Sequence, residues 1–180
     1  MKLNYIREVI RRVSECYGTS NPEELIHAMG IKLGYLPNST DINILKGCYG
    51  MVNGQKVILI HPELKDLDRR EVCAHELNHA LLHPTTNALF LTTYTFAHLG
   101  TLELEADIGA SELLVSDEIC YKYYGMECKQ IAYIENLPLR YVELKMKNFI
   151  KRNTLWASMA VWAHCSLVWL WQHRLQCHCQ

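Results

Sequence analysis

The 180-residue chain has no excess of charge of either sign: 18 Lys and Arg stand against 19 Asp and Glu, a formal net charge of −1. That balance gives no electrostatic reason for direct contact with nucleic acid, and a protein partner is expected instead. The first eight residues, Met1-Lys2-Leu3-Asn4-Tyr5-Ile6-Arg7-Glu8, lack the apolar core of an export signal, so a cytoplasmic location is expected. Disulfide-framework spacing is also missing. The eight cysteines are scattered, which together with the missing signal reads as reduced thiols, with Cys73 and Cys120 in the core. What remains, 49% hydrophobic and 21% charged residues, is ordinary for one globular domain with a sizeable core.

Against that plain background stands His75-Glu76-Leu77-Asn78-His79. Residues four apart lie one turn apart on the same face of a helix. Two imidazoles can therefore converge on one metal ion while the intervening Glu reaches a metal-bound water, the layout of a zinc peptidase. Chance alone yields an HExxH string in roughly three chains in a hundred of this composition, so its surroundings must carry the reading. The pair Asp68 and Glu71 forms a capping-box pattern and Pro84 closes the run after His83, which predicts one helix over 68–83 with the motif in its middle.

Zinc wants a third protein ligand. His83 continues the four-residue spacing, but along a straight helix it lies about 12 Å from His75, too far for both to reach one ion. The helical stretch from Thr101 through Leu114 supplies Glu103 and Asp107, again one turn apart. One carboxylate there can bind the metal while the other accepts the second imidazole N–H of a ligand His. Glu103 is taken as ligand and Asp107 as the supporting carboxylate, with Glu105 the alternative ligand. The competing interpretation makes all three solvated helix charges.

HELNH, a loop, and then ELEADIGASELL resemble the ImmA/IrrE family of metallopeptidases, over roughly Lys2 to Phe149. The resemblance implies a cytoplasmic Zn2+-dependent endopeptidase that cleaves a DNA-binding, helix-turn-helix repressor of a phage or mobile element. His75, Glu76 and His79 fall on the family pattern, and Glu103, Glu105, Ala106 and Asp107 match its second motif. Gly109-Ala110 stands where the family usually has Phe-Ala, which is expected to loosen packing behind the second helix. Asn78 stands where Gly is frequent, expected only to add bulk on one helix face.

The fold class that follows is α+β and zincin-like: a small antiparallel sheet packed on helices, with an HExxH active-site helix. Ahead of that helix, Leu3 to Cys16 reads as an amphipathic helix, and Asn21-Pro22-Glu23-Glu24 as a capped helix start. Runs at 31–36, 47–52 and 55–60 read as strands, the last two joined by an Asn53-Gly54 hairpin turn. A sheet edge beside the cleft can pair with an extended substrate backbone. In the linking segment 83–100, Tyr94 and His98 are candidate donors to the oxyanion, against core packing or surface exposure as the plainer role.

Helices at 129–134 and 139–149, split by Asn136-Leu137-Pro138, have the outline of a helix-turn-helix. Mixed charge favours a structural hairpin closing the peptidase domain, 1–150. The remaining segment, 151–180, differs. Residues 155–171 carry no Asp, Glu, Lys or Arg, include Trp162, Trp169 and Trp171, and follow a basic stretch. Membrane contact through 155–171 is thus one reading, with a packed helix, a partner-binding segment or a poorly ordered tail preferred. Cys177-His178-Cys179 has metal-ligand types at spacing unsuited to a closed tetrahedral site. A different class of function, a zinc-stabilised regulatory binding protein that holds a partner without cutting it, needs the same histidines but not Glu76.

Overall fold

The computed structural model describes residues 3–85 and 96–153, the side chains of 96–99 excepted. The chain divides into two compact units, residues 1–145 and 146–180, and the elements that position the site belong to the first. Helix α1 (Leu3–Tyr17) turns Ile6 and Ile10 inward. Helix α2 (Pro22–Ala28) starts where its sequence signals it: the Asn21 side chain accepts from the Glu23 and Glu24 amides, and Pro22 fills the first turn, where its missing N–H costs nothing.

Three strands follow, β1 (Lys32–Tyr35), β2 (Gly47–Val52) and β3 (Gln55–Ile60). Asn53 and Gly54 both take positive φ, +51° and +78°, the backbone of the two-residue turn that matches the twist of a hairpin. The antiparallel expectation for the sheet needs correction. The order is β1-β3-β2, with β2 antiparallel to β3 but β1 parallel to it. The three strands alternate in direction, yet β3 inserts between the first two instead of adding at an edge. Composition explains the place: Lys56-Val57-Ile58-Leu59-Ile60 is the most apolar strand, with Ile58 and Ile60 fully buried, whereas β1 is short and largely exposed, as suits an edge.

Helix α3 (Asp66–Leu82) carries the HExxH string. It begins two residues before the expected Asp68, and its N-cap, Lys65, makes no side-chain cap bond. Glu71, read as half of a capping box, instead pairs with Arg140 at 2.6 Å. Acidic Asp66 and Asp68 in the first turn favour the positive end of the helix dipole. At the other end His83 is the C-cap, bonded through its amide to the His79 carbonyl, and Pro84 stops the helix. The sheet is tied to α3 twice: Lys56 Nζ donates to the Ala80 carbonyl at 2.7 Å and the buried Tyr49 hydroxyl to the Pro84 carbonyl at 3.0 Å.

Helix α4 (Phe96–Leu114) packs on α3 and buries Ala106, Ala110, Leu113 and Leu114. Short helices α5 (Asp117–Lys122) and α6 (Cys128–Ile134) and helix α7 (139–153) complete the described chain. A closed ring of ion pairs joins α1, α4, α5 and α7: Arg7 bonds Glu112 and Asp117, both at 2.9 Å, and the buried Lys145 bonds the same two carboxylates at 2.6 and 2.8 Å. Two cations and two anions cancel there, which is what allows Lys145 and Glu112 to be buried. Cys73 and Cys120 are fully buried, as expected of core residues. Among the described residues no helix is long and apolar enough to cross a membrane. Tyr94, residues 155–171 and Cys177-His178-Cys179 lie outside the described residues, and His98 falls on α4 with its side chain not described.

Candidate metal centre

Two facing helix turns build the site. His75 and His79 stack one turn apart on α3, their rings edge to face with centroids 4.8 Å apart. Glu103 and Asp107 do the same on α4. His75 Nδ1 donates to Asp107 Oδ1 at 2.9 Å. On the other side of the ring, His75 Nε2 lies 3.1 Å from Glu103 Oε2 and 3.1 Å from His79 Nε2, and His79 Nε2 lies 3.3 Å from Glu103 Oε1. One ligand atom from each of His75, His79 and Glu103 falls within 4.8 Å of the others.

The donor set fits a metal on chemical grounds. With its one neutral-state proton committed to Asp107, His75 presents a lone pair at Nε2, toward a second imidazole nitrogen and a carboxylate. Three lone-pair atoms at such distances repel unless a cation sits among them. Burial works against a charged His75 ring, but its hydrogen bonds to Asp107 and Glu103 outweigh burial and raise its pKa to about 9. Hydrogen bonds from His75 and His79 hold Glu103 well below the usual carboxylate range. Tetrahedral zinc with ligands at about 2.0–2.1 Å sets neighbouring donor atoms about 3.3 Å apart, close to the spacings found.

Glu105, the alternative ligand, points elsewhere. Its Oε2 lies 3.5 Å from His83 Nε2, and both side chains are buried. His83 thus sits beside the centre, its ring centroid 5.7 Å from that of His79, with burial lowering its pKa. Glu76 is buried and its carboxyl is pushed upward by that burial. The first residue of β2 makes room for it: a β carbon on Gly47 would lie 2.4 Å from Val72 Cγ1 and 3.3 Å from Glu76 Cγ.

Three contributors carry no motif in the sequence. Arg140, at the start of α7, bonds Glu71 at 2.6 Å and Asp107 at 3.4 Å, and the buried Tyr141 hydroxyl donates to Asp107 at 3.4 Å. Burial opposes the charge on Asp107, but His75 and Arg140 hold its carboxyl below the ordinary value. The third is Gly47. Arg140 and Tyr141 follow Pro138 in a segment whose only sequence signal is helical, so nothing local tied them to a site some thirty residues upstream. Their role also shows that the start of the second helix of the outlined pair faces the site.

The centre opens into a cleft of about 340 Å³, lined by Ile44, Leu45, Gly47, Glu71 and Arg140 together with His75, Glu76, Glu103 and Asp107. A larger hollow of about 800 Å³ lies against α1 and the α4–α5 junction, where the ring of ion pairs already uses its charged groups. Of the converging residues, His75 and Glu103 line the smaller cleft.

Residues 29–132 match the model of peptidase family M78, described as the IrrE N-terminal-like domain. The chain belongs to this family. Among relatives, it is 34% identical over 150 residues to "Uncharacterized immunity region protein 2" of Bacillus phage phi105, an alignment covering 80% of this chain and 93% of that protein. The M78 match takes in His75, Glu76, His79, Glu103 and Asp107 and stops short of Arg140 and Tyr141.

Membership of M78 also frames the two departures from the familiar pattern. Neither acts as the sequence suggested. Asn78 does not simply add bulk to a helix face, and Gly109 does not leave a loose interface, because the Asn78 side chain occupies the space over Gly109.

Proposed function

We propose that the chain is a zincin-like, zinc-dependent endopeptidase that cleaves a regulatory protein, a DNA-binding repressor of a phage or mobile element. The observation that carries the reading is the convergence of His75, His79 and Glu103 next to a buried Glu76. Mere metal binding gives Glu76 no task. Zinc, when held by those three residues, supplies a Lewis acid for the scissile carbonyl and a water acidified toward neutrality.

The chain's own groups do the rest. Glu76 accepts a proton from the attacking water and delivers it to the leaving amine, and burial, which raises its carboxyl, favours holding that proton between the two steps. Asp107 fixes the His75 tautomer, and Arg140 and Tyr141 fix Asp107. Among the described residues strand β2 has β3 as its one neighbour in the sheet, and its other edge offers backbone groups to an extended peptide beside the centre. The immunity-region relative supports a phage regulator as substrate, and such a substrate places the reaction in the cytoplasm. The peptidase domain is taken as 1–150, with 151–180 a separate tail.

Co-expression with helix-turn-helix repressors of phage immunity regions tests this. The wild type is expected to produce repressor fragments, while Glu76→Gln produces none with its zinc content unchanged. Full proteolysis by Glu76→Gln would remove Glu76 from the reaction. Repressor bound intact by both proteins would favour the non-catalytic, zinc-stabilised binding protein.

A further inference from the structure

Behind the converging ligands, two residues meet across the α3–α4 interface. Asn78 is fully buried, and its Nδ2 donates to the Ala74 carbonyl of its own helix at 2.8 Å. Its Oδ1 has no hydrogen-bond partner among the described residues. A β carbon on Gly109 would lie 1.9 Å from that oxygen, 2.5 Å from Asn78 Cγ and 3.3 Å from Asn78 Cβ. Turning the amide about its last bond moves only Oδ1 and Nδ2. Cγ would stay at 2.5 Å, far inside the roughly 3.5–4.0 Å at which carbon atoms attract. Gly109 therefore accepts Asn78, and any side chain at 109 displaces either Asn78 or the helix.

Each choice is unfavourable alone. Glycine is the poorest helix former after proline, and a buried amide oxygen without a partner has lost its water for nothing. They meet at one point, and the point is well placed. Asn78 lies between the two ligand histidines in the chain. Gly109 is about 3 Å along the helix axis from Asp107 and about 9 Å from Glu103. The separation of the helices here thus governs how far both carboxylates reach toward the imidazoles. Metal–ligand distances tolerate only about 0.2 Å of error.

We propose that the Asn78–Gly109 interlock sets the spacing of α3 and α4 at which Glu103 and Asp107 meet His75 and His79, making both positioning residues of the metal centre. The inference rests on the metal-centre reading above.

The test uses the full chain as wild type, Gly109→Ala, Asn78→Ala and the double variant Asn78→Ala/Gly109→Ala. Two quantities are read: the zinc dissociation constant, by competition with a chromophoric chelator, and the His75 Nδ1–H proton resonance of the metal-free protein, which reports the bond to Asp107. Gly109→Ala is expected to weaken zinc binding about tenfold or more, as loss of ligand support does, and to shift or broaden the resonance. The double variant, with the bulk moved from one helix to the other, is expected to recover both.

Gly109→Ala with an unchanged dissociation constant and resonance, even at lower thermal stability, would reduce the pair to packing and overturn the inference. So would a folded double variant no better than Gly109→Ala. Should Gly109→Ala fail to fold, Asn78→Ala decides: it is expected to fold and change zinc affinity at least about threefold, and an unchanged affinity overturns the inference. A wild type that binds no zinc, with the resonance still perturbed by Gly109→Ala and restored in the double variant, would sink the metal-centre reading and leave the spacing role intact.

Discussion

Asp107 touches no substrate in the proposed chemistry, yet it decides which nitrogen of His75 carries the proton. The 2.9 Å bond from Nδ1 leaves Nε2 as the lone-pair end of the ring, aimed at His79 and Glu103. Carboxylates in this supporting position are worth about 10–100-fold in metal affinity, so Asp107→Ala is expected to weaken zinc binding by that factor in a chelator competition. An unchanged constant would mean that ring orientation is set elsewhere.

Spacing alone in the sequence put Glu103 and Asp107 on one face. Their division of labour and the rest of Asp107's support were less legible. Arg140 and Tyr141 reach it from α7, a contact between residues more than thirty positions apart, and no local pattern encodes such a contact. Asn78 and Gly109 stood out only as oddities when taken singly. The size of one is explained by the absence of the other.

Among the elements, those with local signals are readable and those defined by partners are not. Asn21-Pro22 starts α2 and Asn53-Gly54 turns the hairpin, because a side-chain oxygen and a pair of positive φ values are properties of a few adjacent residues. The insertion of β3 between β1 and β2 depends on which strand has the most apolar surface to hide, a comparison across the whole sheet. The start of α3 differs from the capping-box pattern because Glu71 pairs with Arg140 rather than with a helix cap.

Helix α3 is also held from outside, by Arg69 in its second turn, which bonds both oxygens of Glu23 on α2 at 2.8 Å. That pairing lowers the Glu23 pKa below its ordinary value of 4.5. A carboxyl depressed in the folded state stabilises the fold above its unfolded pKa, and the contribution fades as pH falls through the folded value. Glu23→Gln is therefore expected to lower the urea midpoint at pH 7, and the gap from wild type should close as the pH drops below 4.5. A gap that is constant with pH would show that the ion pair contributes nothing of its own.

At the scale of the molecule, a small sheet and several helices surround one polar seam between α3 and α4. Seams of this kind are costly when left without a counter-charge, since Glu76, His79, His83 and Glu105 are all buried in or beside it. A bound divalent cation would answer much of that cost and link metal to folding. The ring of Arg7, Glu112, Lys145 and Asp117 solves the same problem elsewhere with protein charges alone.

The metal centre turns on which carboxylate of α4 completes it, and zinc dissociation constants of the wild type, Glu103→Ala and Glu105→Ala measure that most directly. Glu103→Ala is expected to lose more affinity than the roughly 10–100-fold of a supporting residue, and Glu105→Ala to stay within about threefold of wild type. Wild-type affinity in Glu103→Ala, or a larger loss in Glu105→Ala than in Glu103→Ala, would contradict it.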